Sequence, residues 1–136
     1  PGIAAELFEP LADAGISVDI IVQNAGIHGT TDFTFTVQSA DLIRAEQITK
    51  EVSSLIEGSS VVSASGLAKV SIVGTGMQDT PGYAAKMFRT LADYEINIDT
   101  ISTSEIRITC IIDSSHLEKA ARSLHEAFEL DDSEIK

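Results

Sequence analysis

Two short stretches of this chain have the residue types to hold a charged ligand. Asp79-Thr80-Pro81-Gly82 lies where a β-rich run gives way to a helix-period segment, and Pro1-Gly2 opens an equivalent segment. A helix start presents N–H groups without acceptors and a partial positive charge. Such a place accepts a carboxylate. Gly82 lets a ligand come close to the backbone, and Asp79 offers a negative partner to an ammonium. A free α-amino acid carries both charges at that separation. The plain alternative is a strand-to-helix turn with a cap, Thr80 capping and Pro81 at the first helical position. A second wall would come from the strand that follows each helix. Ser17, Val18, Asp19 and Gln23 correspond there to Asn97, Ile98, Asp99 and Thr103. Strand carbonyls could take the ammonium, and Gln23 or Asn97 a side chain. Sheet pairing alone would explain the Ile and Val residues but not the polar set.

No catalytic constellation accompanies these loops. His28, His116 and His125 share no ligand spacing with Cys110 or with a carboxylate pair. His116 and His125 are expected on one helix, but on different faces of it. Gly74-Thr75-Gly76 lacks the third glycine that opens a helix in a dinucleotide fingerprint. Cys110 stands alone in an apolar run, which suits a small buried hydrophobe in a reducing cytosol. The net charge of -12 argues against nucleic-acid backbones and anionic membrane surfaces as partners. No run approaches the roughly 20 apolar residues of a membrane span, and no signal peptide is visible.

The elements that must position these loops are set by an internal repeat. Pro1-Gly2-Ile3-Ala4-Ala5-Glu6-Leu7-Phe8 returns as Pro81-Gly82-Tyr83-Ala84-Ala85-Lys86-Met87-Phe88, and Ile16-Ser17-Val18-Asp19 returns as Ile96-Asn97-Ile98-Asp99. The offset is 80 residues, and 11 of the 24 positions from Pro1 to Asn24 match, so the 136 residues form two small copies of one unit. Residues 1–66 make the first copy and 67–136 the second. Units this small often pair to complete a core.

Each copy begins with a helix-period segment whose apolar face is Ala5, Phe8, Leu11 and Ala12, or Ala85, Phe88, Leu91 and Ala92. Pro10 falls inside the first helix and should kink it. A strand follows, Ile16 to Gln23 or Ile96 to Ser102, then a second, Phe33 to Val37 or Ile106 to Ile112. The turn between the first pair is the glycine-bearing loop Asn24 to Thr31. A second helix carries Leu42, Ala45, Ile48, Val52 and Leu55, with Ser39 or Asp41 near its cap. Its counterpart carries Leu117, Ala120, Ala121, Leu124 and Phe128, with Ser115 and Glu118 at capping-box spacing. Val61 to Ala64 reads as a closing strand and Lys69 to Val73 as the opening strand of the second copy. The tail from Asp131 could hold the start of a last strand. The order is β-α-β-β-α-β, an α+β ferredoxin-like sandwich with an antiparallel sheet and two helices on one face. The first copy lacks its opening strand, so the chain reads as a piece of something longer.

These residues resemble the paired ACT domains of the aspartokinase family. The likeness rests on Asp79-Thr80-Pro81-Gly82, on Asn97-Ile98-Asp99, and most specifically on Ile101-Ser102-Thr103-Ser104-Glu105-Ile106-Arg107-Ile108. The first copy contributes Val18-Asp19-Ile20-Ile21-Val22-Gln23-Asn24 and Thr31-Asp32-Phe33-Thr34-Phe35-Thr36. Aspartokinases phosphorylate the β-carboxylate of aspartate, on the route to lysine, threonine, methionine and isoleucine. The resemblance implies a regulatory part without catalytic residues, since ATP and Mg would bind a kinase domain outside this chain. It implies end-product effectors, threonine, lysine or both, bound where ACT units of two chains meet. It implies a cytoplasmic protein that forms a homodimer through its ACT units and joins an aspartokinase catalytic α subunit or kinase domain, as a separate β subunit does in some organisms. A threonine-type site would use Gly2, Ile3, Ala4 and Gln23, completed by Asn97 and Ile98. A lysine-type site would use Ser17, Val18 and Asp19 with Tyr83, Ala84, Ser104 and Glu105. The loop at Ala25-Gly26 lacks the serine often present in lysine-responsive relatives. A pair of ACT domains serving only as a dimerisation scaffold is the alternative.

Overall fold

The computed structural model describes residues 2–25, 31–56, 59–74, 82–104 and 106–131. Expectations placed on Pro1, on Gly26 to Thr30, on Asp79 to Pro81, on Glu105 and on the tail beyond Asp131 lie outside the described residues. The chain divides into two compact units, Pro1–Ser65 and Gly66–Lys136. The first unit contains helix α1 (Ile3–Asp13), strands β1 (Val18–Ala25) and β2 (Thr31–Val37), a 3-10 turn (Ser39–Asp41) and helix α2 (Leu42–Ser53). The second contains β3 (Leu67–Val73), α3 (Tyr83–Asp93), β4 (Ile98–Thr103), β5 (Arg107–Asp113), a 3-10 turn (Ser114–His116) and α4 (Leu117–Asp131).

Both sheets are antiparallel, which fits tandem ferredoxin-like units. β1 pairs with β2, Gln23 opposite Phe33 and Ile21 opposite Phe35. In the second unit β5 lies between β3 and β4, so Cys110 faces Val70 on one side and Ile101 on the other. The repeat extends to the irregularities of the ladder. Register shifts fall after Val18 in β1 and after Ile98 in β4, at matching positions.

The second unit buries α3 and α4 on one face of its sheet. Met87, Leu91, Ile96, Ala120, Leu124 and Phe128 meet Val70, Ile108, Cys110 and Ile112 in one cluster. In the first unit the corresponding cluster is smaller, Leu11, Ile16 and Ala45, with Phe8, Val18, Phe35, Val37 and Ile48 packed against it. Phe8 meets Phe35 edge-on at 5.2 Å.

Of the expected apolar faces, Leu11 and Leu91 are buried and Phe8 and Phe88 pack against the cores, but the alanines do not. Leu7 and Leu11 are buried in α1, and Met87 and Leu91 in α3, while Ala5, Ala12, Ala85 and Ala92 are exposed. The i, i+4 pair of large side chains reaches the sheet, and an alanine methyl removes too little apolar area from water to compete. In α2, Ala45 is buried, but Leu55 lies past the helix end and is 86% exposed. In α4, Ala120, Leu124 and Phe128 are buried, whereas Leu117 and Ala121 are exposed. Pro10 does lie inside α1, which runs on to Asp13.

Three boundaries differ from the sequence expectation. Ser115 and Glu118 form no capping box. Instead Asp113 accepts from the Ser115 amide at 2.9 Å and from its hydroxyl at 2.6 Å, which holds the Asp113 carboxyl below the usual carboxylate range. The turn so capped contains His116, leaving only His125 of the two histidines on α4. Val61 to Ala64 forms no strand. In this fold a closing strand pairs with the opening one, and among the described residues no strand precedes α1, so its backbone has no ladder to join.

The third boundary is the end of the first helix of each unit. Ile16 and Ile96 do not start strands. The Ile16 amide donates to the Leu11 carbonyl at 3.0 Å and the Gly15 amide to Ala12 at 2.9 Å. The Ile96 amide donates to Leu91 at 2.9 Å and the Glu95 amide to Ala92 at 3.0 Å. This is the Schellman closure, with a left-handed residue just past the helix and an apolar contact beneath it. Ile16 and Ile96, each 4% exposed, are that contact.

Candidate effector site

The first helix of each unit begins at a glycine. Gly2 and Gly82 are the N-caps, with φ of 91° and 104°, and neither helix start carries a side-chain cap. In the second unit the N-cap is Gly82 and the helix opens at Tyr83, one residue after the glycine. A positive φ at this place is strained for any residue with a Cβ. The Gly2 carbonyl accepts from Glu6 at 3.0 Å and the Gly82 carbonyl from Lys86 at 2.9 Å. The first-turn amides of residues 3–5 and 83–85 have no acceptor within their own helix. Both glycines are exposed, and a Cβ built on either meets nothing within 4 Å.

The remaining predicted residues fall into separate groups. Ile3 is 44% exposed and Ala4 is exposed, both in the first turn of α1. Ser17 and Asp19 are exposed at the entry of β1, and Gln23 is exposed near its end. Val18 turns inward and packs on the core of the first unit. Tyr83 and Ala84 also turn inward, against the core of the second unit. The Tyr83 ring is stacked on Phe128 with centroids 6.1 Å apart and planes 5° from parallel, and the Lys86 ammonium sits 5.1 Å from the Phe128 centroid. Tyr83 and Ala84 remain partly exposed. Ser104 is exposed, and its amide closes the β4–β5 turn onto the Arg107 carbonyl at 2.7 Å.

Asn97 and Ile98 line an open surface depression of about 480 Å³ in the second unit. Phe88 and Ala92 of α3 form one wall, and Glu95 and Ile96 of the turn complete it. Glu95 was not among the predicted site residues. The signal for it is the repeat itself, which sets a glutamate opposite Gly15 at a backbone position that favours glycine. Among the described residues no group of three or more His, Cys, Asp or Glu side chains could hold a metal. Cys110 is fully buried, and desolvation pushes its thiol up to about 11, so it is an inert apolar neighbour rather than a nucleophile. No helix among the described residues is long and apolar enough to cross a membrane.

The ACT-domain pattern matches residues 1–52 and 70–128. This repeated match covers both units. The chain belongs to the ACT-domain family. Within that family its similarity is to aspartokinases. It is 46% identical over 131 residues to the aspartokinase of Pseudomonas aeruginosa, a match that covers 96% of this chain and 32% of that protein. It superposes with a TM-score of 0.84 on the ligand-free regulatory subunit of aspartate kinase from Thermus thermophilus, at 41% identity, covering 95% of this chain and 85% of that one. Escherichia coli aspartokinase III in complex with lysine and aspartate superposes at 0.69 and 25% identity, covering 92% of this chain and 27% of that one. The chain spans about a third of the length of the curated aspartokinase, 32%. What it carries is the regulatory ACT region of an aspartokinase, without the kinase domain.

Proposed function

We propose that this ACT pair is the amino-acid-sensing region of a cytoplasmic aspartokinase, binding threonine, lysine or both and lowering aspartate phosphorylation. The observation that carries the reading is the matched pair of helix starts at Gly2 and Gly82, each with a left-handed glycine N-cap and no side-chain cap. Each start suits the carboxylate of an amino acid. The exposed Gln23 and Asn97 are the polar side chains available for its remaining groups. Lysine bound to E. coli aspartokinase III supports an effector of this class.

The site is completed by an ACT unit of a second chain, so effector and dimer stabilise each other. The effector acts by binding the inhibited assembly more tightly than the active one, because equal affinity shifts nothing. A coupling of about 1–3 kcal/mol is typical. The region acts on the kinase domain or the α subunit that it accompanies.

Calorimetry on the complete protein that carries this region tests the reading. Threonine or lysine should bind, and Gln23→Ala or Asn97→Ala should weaken binding while leaving the dimer intact. Absence of binding by both amino acids would leave only a dimerisation scaffold.

A further inference from the structure

We draw no further inference here: the strongest candidate, the edge of β2 beside Phe33 and Phe35 that no described strand pairs, calls only for the opening strand of a ferredoxin-like unit and so restates an established property of the fold.

Discussion

Gly15 and Glu95 are 80 residues apart and occupy the same left-handed position after a helix, with φ of 77° and 58°. Each donates its amide to the alanine carbonyl three residues back. One copy fills the position with the residue that adopts this conformation freely, and the other with one that does not. Glycine is favoured over other residues here by about 1 kcal/mol.

Glu95→Gly should therefore stabilise the second unit by about 1 kcal/mol, partly offset by the greater freedom of the unfolded chain. Gly15→Ala should destabilise the first by a similar amount. Chemical denaturation with a midpoint shift at constant slope is the measurement.

The N-cap glycines give a second pair of variants. At Gly2 and Gly82 an added methyl meets no neighbour within 4 Å, so the cost of alanine is backbone strain alone. Gly82→Ala should cost about 1–2 kcal/mol, and Gly2→Ala the same. Thermal unfolding checks the size. Effector binding should weaken in both, because the first-turn amides move with the cap.

Core and surface alanine positions separate on α3. Met87 and Leu91 are fully buried, so either to Ala should cost about 2–5 kcal/mol. Ala85 and Ala92 are exposed, so serine at either should change stability by no more than about 0.5 kcal/mol. Denaturant midpoints of the Met87, Ala85 and Ala92 variants distinguish the buried face from the one that simple periodicity selects, and Leu91, common to both, is the reference.

Cys110 makes a pH prediction. Its thiol is pushed up to about 11 by burial, above the ordinary 9.0 of an exposed thiol. Between these values the unfolded chain loses its proton while the folded chain keeps it. The contribution of Cys110 to stability is full below pH 9 and is lost as pH rises toward 11. Cys110→Ala should flatten the alkaline limb of stability against pH. A thiol reagent at pH 8 should react with the unfolded protein and leave the folded one unmodified.

The repeat and the order of the described helices and strands, apart from the strand expected at Val61 to Ala64, were legible in the amino-acid sequence, because local chemistry dictates them. Proline and glycine mark helix starts, and alternating Phe and Thr from Phe33 to Thr36 mark a strand. The absence of a catalytic constellation was legible in the same way. Tertiary packing decided what local signals leave open. It chose Met87 over Ala85 as the buried face, since burial rewards area and not periodicity. It ended the helices by burying Ile16 and Ile96 under a turn, where β-branching alone suggested strands. It also turned the Tyr83 ring of α3 onto Phe128 of α4, a contact between residues 45 apart that no local signal specifies.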